Sequence, residues 1–112
     1  MANTTRQLGT IADTVLFENE RVRIWEMRMP PGETGPPHRH DLDHILVQIA
    51  GDRMAVVPEP DTKGEYKEYL EADVVPGQYF YVERGGVERA LNIGKQDYYE
   101  ILIELNDERP PA

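Results

Sequence analysis

The feature that most limits what this chain can fold into is its rhythm. Short runs of alternating apolar and polar residues are broken by Gly, Pro or Asp about every ten residues. Alternation with a period of two sends successive side chains to opposite faces of a strand. Residues 14–17, 21–29, 44–50, 53–57, 65–70, 78–82, 87–93 and 98–105 read as strands. Turns are expected at Glu18-Asn19-Glu20, at Gly51-Asp52, over residues 73–77 and at Gly94-Lys95. Residues 44–50 set Ile45, Val47 and Ile49 on one face and His44, Leu46 and Gln48 on the other. With no convincing amphipathic helix, the expected class is all-β, with little helix: a sandwich, a jelly roll or a small barrel.

At 112 residues the chain has the length of one domain, with one hydrophobic core. Residues 14–105 are expected to form it, after a polar arm at residues 1–13 and before an exposed tail at residues 106–112. The first residues lack the apolar stretch of a secretion signal, and no run approaches the ~18 apolar residues of a membrane span. A cytoplasmic location is the expectation. Acidic residues exceed basic ones by 21 to 12, a net charge of −9, which argues against nucleic acid or anionic membrane as a partner. The chain has neither cysteine nor serine, so disulfides, thiolate metal sites and Ser or Cys nucleophiles are excluded. Chemistry must come from His, Asp, Glu, Tyr, Arg, Asn, Gln, Thr or a bound cofactor.

All three histidines, His38, His40 and His44, lie within seven residues. Chance placement would crowd them this closely about one time in a hundred. On an extended segment His38 and His40 project to the same face with Cα atoms ~6.5–7 Å apart, close enough to converge on one ion. Asp41-Leu42-Asp43 can turn the chain so that His44, opening the next strand, delivers a third ring. Imidazole suits Zn, Fe, Cu and Ni, and Pro36-Pro37 stiffens the approach. A solvated loop or a hydrogen-bonded polar corner is the alternative.

The spacing of these residues resembles the two motifs of the cupin superfamily. Gly32, His38, His40, His44 and Gly51 are separated by five, one, three and six residues. That is the first cupin motif, with histidine at position 44 where glutamate is usual. Gly77, Glu83, Gly85, Glu88 and Asn92 keep the spacing of the second motif, five, one, two and three residues, with Glu83 in place of proline and Glu88 in place of histidine. The resemblance covers residues 14–105 and implies a double-stranded β-helix, or jelly-roll barrel. It also implies a ligand set of three imidazoles and one carboxylate, His38, His40, His44 and Glu88, with the glutamate and one histidine exchanged between motifs. Such a set leaves a divalent ion with a net charge of +1 whichever position supplies the oxygen. Pairing of Glu88 with Arg84 or Arg89 on a solvated strand is the alternative for that residue.

Strand parity nominates further residues. Gln48 shares the face of His44, and Asn92 that of Glu88; either can hold a substrate or orient a ligand. Asn92 is more often structural in cupins. Tyr79 and Tyr81, with Trp25 and Met27, line the cavity or belong to the core, and an aromatic-rich strand favours core. Arg53 can take an acidic substrate or pair with surface carboxylates. The resemblance implies one divalent ion, Fe, Zn, Mn or Ni, and a small-molecule ligand. The enzyme reading is dioxygenase, isomerase or lyase chemistry on a small oxo or hydroxy acid. The alternatives are a non-catalytic cupin that binds or senses a small ligand or metal, and a metal-free structural domain. Cupins commonly dimerise through sheet edges and exchanged N-terminal strands, so a homodimer is expected, with residues 1–17 as the exchanged arm.

Overall fold

The computed structural model of the chain describes residues 8–106. The first seven residues of the expected arm, and all of the expected tail but Asn106, lie outside them. The described residues contain nine strands and no helix: β1 Thr14–Glu18, β2 Val22–Met29, β3 His38–Arg39, β4 His44–Ala50, β5 Arg53–Pro58, β6 Leu70–Asp73, β7 Tyr79–Val82, β8 Val87–Asn92 and β9 Tyr98–Leu105. Every pairing is antiparallel. They form a five-stranded sheet in the order β1-β2-β9-β4-β7 and a four-stranded sheet in the order β3-β8-β5-β6. The crossings from one sheet to the other make this a double-stranded β-helix.

The alternating runs form strands where they were expected, with one displacement. Residues 65–70 were read as a strand; the strand is β6, Leu70–Asp73, paired with β5 from Val56↔Leu70 to Arg53↔Asp73. The stretch before it satisfies its backbone outside a ladder. The Glu59 N–H donates to the Val87 carbonyl and the Lys63 N–H to the Gly85 carbonyl, each at 2.8 Å. The Thr62 hydroxyl accepts from the Val87 N–H at 3.0 Å. Residues 59–63 are thereby held to the start of β8. The two-residue β3 has no counterpart in the sequence reading, being too short for any periodicity.

β1 pairs with β2, from Thr14↔Glu26 to Glu18↔Arg23. The turn between them is closed by Asn19, whose side-chain oxygen accepts from the N–H groups of Arg21 and Val22 at 2.8 and 2.9 Å. The core lies between the sheets, where Trp25, Met27 and Met29 on β2 meet Met54 on β5 and Tyr98 and Leu102 on β9. Trp25 and Met27 are thus core residues, as aromatic patterning suggested, and Met27 also reaches the cavity wall.

The four motif glycines, Gly32, Gly51, Gly77 and Gly85, are those with positive φ among the described residues. The spacing of the motifs therefore reflects where the chain turns. Gly85 shows why no other residue serves: φ is +110°, and a Cβ would sit 3.1 Å from the Lys63 carbonyl oxygen.

Candidate metal centre and cavity

The site is assembled from three elements. β3 pairs with β8 so that His38 stands directly opposite Glu88. His40 follows β3 and is tied to the turn before β8: its N–H donates to the Gly86 carbonyl at 2.8 Å, and its carbonyl accepts from the Gly85 N–H at 2.9 Å. His44 opens β4, between Val82 of β7 and Glu104 of β9, with its ring turned inward. The link between β3 and β4 is fixed by Asp43, 2% exposed, whose carboxylate accepts from the Tyr81 hydroxyl at 2.8 Å and from the Arg84 N–H and Nε at 2.9 and 3.0 Å.

His38, His40 and Glu88 each offer a ligand atom, all within 4.8 Å of one another. The His40 Nε2 lies 3.4 Å from Glu88 Oε1. The rings of His38 and His40 meet edge to face with centroids 4.8 Å apart. His44 lies outside the trio of ligand atoms and stacks on His40, centroids 4.2 Å apart and planes 26° from parallel. The three imidazoles are all buried. A carbonyl only accepts, so the contact of His38 Nδ1 with the Pro36 carbonyl at 3.2 Å puts the ring proton on Nδ1 and leaves the Nε2 lone pair free.

Burial, and next the neighbouring His40, hold His38 below the ordinary histidine range and push His44 down to about 3. Burial would raise the Glu88 carboxyl, but the adjacent His40 outweighs it and the group lies below its ordinary value. The Nδ1 atoms of His40 and His44 are buried with no hydrogen-bond partner among the described residues. Orphaned buried nitrogens are rare in folded proteins, and two in one cluster require a cause. Buried imidazoles crowded beside a carboxylate are a nitrogen-and-oxygen donor set of the kind that Zn, Fe, Mn and Ni accept.

The cluster forms part of the wall of a cavity of about 140 Å³ between the two sheets, with Gln48 and Glu100 further along. The rest of the lining is largely apolar, including Met27, Leu46, Met54 and Leu102. This volume falls below the ~300–1,000 Å³ of pockets for drug-sized ligands, so the cavity suits a small molecule.

Of the other residues nominated from sequence, Gln48 lies on the cavity wall, its Nε2 3.4 Å from the Tyr98 hydroxyl and its Oε1 accepting from Gln78 Nε2 at 3.2 Å. Asn92, 1% exposed, is built into the scaffold. Its Nδ2 donates to the carbonyls of Met29 and Gln96 at 2.8 and 2.9 Å, and its Oδ1 accepts from the Gly94 N–H at 2.9 Å. Tyr79 and Tyr81, 72% and 53% exposed, stand on the outer face of the five-stranded sheet, neither on the cavity wall nor in the core. Their strand is an edge strand, and its inner face carries Phe80 and Val82 instead. Arg53 is also away from the cavity, its guanidinium paired with Asp73 at 2.5 Å and Glu71 at 3.4 Å across β5 and β6.

Among the buried residues that escaped the sequence reading are Asp43, Tyr98, Glu100 and Glu104. Along β9 the inward positions are Tyr98, Glu100, Leu102 and Glu104, while Tyr99, Ile101, Ile103 and Leu105 face outward. By alternation alone the isoleucines look like the buried face. Glu100 is 5% exposed, burial pushes its carboxyl up to about 7, and Tyr98 donates to it at 2.6 Å.

No protein-family model matches the chain. Over 104 residues it is 26% identical to the auxin-binding protein T85 of Nicotiana tabacum, covering 92% of this chain and 54% of that protein. The chain spans about half the length of the curated relatives it matches. Its structure superposes on a cupin domain from Bordetella pertussis Tohama I with a TM-score of 0.71, at 23% identity, over 92% of this chain and 99% of that one. The chain has the cupin fold. A longer protein with the same β-helix, oxalate oxidase in complex with its substrate analogue glycolate, matches 80% of this chain and 43% of its own, with a TM-score of 0.58 and 24% identity. In this chain His44 and Glu88 stand at the two positions where the cupin motifs usually carry glutamate and histidine, and both side chains lie on the wall of one cavity.

Proposed function

We propose that this cupin binds one divalent cation, Fe, Zn, Mn or Ni, through His38, His40 and Glu88, with His44 as the fourth ligand, and takes a small oxo or hydroxy acid in the adjoining cavity. The observation that carries this reading is a buried trio of imidazoles beside a carboxylate, with ligand atoms of His38, His40 and Glu88 all within 4.8 Å of one another. When bound, such an ion supplies a Lewis acid able to polarise a carbonyl or carboxylate oxygen. The chain's own residues do the rest. The Pro36 carbonyl fixes the His38 tautomer, the apolar walls exclude water, and Gln48 offers an amide beside the small molecule.

A hydroxy acid is favoured by the cavity's size and by the glycolate held by oxalate oxidase. Binding without turnover is the second reading, favoured by the auxin-binding proteins among the relatives. Turnover of glycolate or a related acid by the metal-loaded protein, lost in His40→Ala, decides for the enzyme. Ligand-induced stabilisation without turnover decides for the binder.

Metal analysis of protein purified without a histidine tag tests the centre: about one ion per chain is expected, and a value near zero after metal-replete growth would overturn it. Glu88→Gln should reduce metal retention strongly, whereas loss of an exposed ion pair would cost only ~0–1 kcal/mol of stability and no metal.

The reading includes a homodimer formed by the outer face of the five-stranded sheet. Phe17, Ile24, Ile103, Ile45 and Tyr81 are successive cross-strand neighbours, an uncharged row spanning all five strands of a chain with net charge −9. Two copies can meet along such a row without opposing like charges.

A further inference from the structure

The cavity has a second polar end. Along β4, Gln48 lies four residues beyond His44, or ~13 Å in an extended strand, and Glu100 is its cross-strand partner. Leu46 and Leu102 lie between the two ends on the inward face. Glu100 is on the cavity wall, and its hydrogen-bond partner among the described residues is the Tyr98 hydroxyl, to which Gln48 Nε2 donates at 3.4 Å.

Buried carboxylates are usually paired with a cation, and among the described residues none is in contact with this one. The charged groups that bear on it are acidic: Glu88 on β8 and Asp13 ahead of β1. Its partners across β2 and β4 are the neutral Met27 and Gln48. Arg89, also on the wall, neighbours Glu88 in sequence and its Nε lies 3.7 Å from Glu59.

We propose that Glu100, backed by Tyr98 and Gln48, binds the ammonium group of a small aliphatic amine whose chain lies against Met27, Leu46, Met54 and Leu102. The site shares the cavity of the metal centre proposed above but does not need the cation. An ammonium brings the positive charge and N–H donors that the carboxylate lacks. Its alkyl chain replaces water against the apolar wall. Only the ionised carboxylate pairs in this way. With burial pushing Glu100 up to about 7, ionisation rises from about a tenth at pH 6 to about nine-tenths at pH 8, so the apparent affinity rises about tenfold.

Calorimetric titration of the full chain with n-butylammonium chloride, at pH 6 and pH 8, tests this. Both as-purified and chelator-treated protein are used, with n-butanol as the uncharged control and metal content measured on the same samples. The amine should bind more tightly than butanol and gain about tenfold between the two pH values. Glu100→Gln should abolish that gain and leave the metal content as in the wild type. Butanol binding as tightly as the amine, no amine binding at pH 8, or a gain that persists in Glu100→Gln would each overturn the proposal. Loss of metal along with the amine in Glu100→Gln would overturn it too, by making Glu100 a ligand of the ion. Tyr98→Phe is a second test should Glu100→Gln not fold. Removing a donor to the carboxylate should move the midpoint of amine binding to higher pH, and an unmoved midpoint counts against the site. Amine binding in samples that never hold metal would sink the metal centre alone.

Discussion

Burial raises the Glu100 carboxyl from 4.5 to about 7, so between those values the folded chain holds a proton that the unfolded chain has released. The stability linked to this group is therefore complete below about pH 4.5 and is lost as pH rises through 7. Glu100→Gln cannot ionise and should remove the effect. In chelator-treated protein the variant should gain on the wild type between pH 5 and pH 8 by an amount on the order of 3 kcal/mol, measured by urea denaturation. Parallel pH profiles for the two proteins would show that the carboxyl ionises as freely folded as unfolded. Asn92 is the complementary case, a buried residue whose three hydrogen bonds all serve the scaffold. Asn92→Ala leaves backbone groups without partners and should lower stability by about 3 kcal/mol while metal retention per folded chain stays unchanged. Residue type and spacing nominated His38, His40 and His44, and the resemblance to the second cupin motif nominated Glu88. Neither sufficed for Glu100, because nothing local distinguishes an inward glutamate from a solvated one.

Among elements, the link between β3 and β4 matters most for the site, because it sets His40 against His44. Asp43 anchors it through a buried ion pair, 3.0 Å to Arg84 Nε with side chains 3% and 8% exposed, and through Tyr81. Removing one member of such a pair leaves the other charge buried, so Asp43→Ala should cost roughly 3–5 kcal/mol. It should also weaken metal retention without touching a ligand. Metal content per folded chain equal to that of the wild type would show that the link does not govern the ligand cluster. Most strand positions were legible because alternation and turn glycines are local properties. The position of β6 was not, since it is set by pairing with β5 from Val56↔Leu70 to Arg53↔Asp73, partners distant in sequence.

At the scale of the whole molecule the five-stranded sheet sets polar side chains among the apolar ones of its inner face and isoleucines on its outer face. The inner face carries His44, Gln48, Glu100 and Glu104, and the outer face carries Ile24, Ile45, Ile101 and Ile103. If the outer row is a dimer face, sedimentation at micromolar concentration should give about twice the 12.9 kDa chain mass, and Ile103→Glu should return the protein to that mass. A wild-type species of one chain mass would remove the dimer from the reading. The all-β class, the turns at Gly51 and Gly77 and the histidine cluster were legible in the sequence alone, because each depends on neighbours within a few residues. It took the tertiary structure to show which face of each strand turns inward, that His38 stands opposite Glu88, and that a carboxyl at the other end of the cavity has no cation beside it among the described residues. Those facts depend on which strands meet across the barrel, and a period of two is the same whichever face is buried.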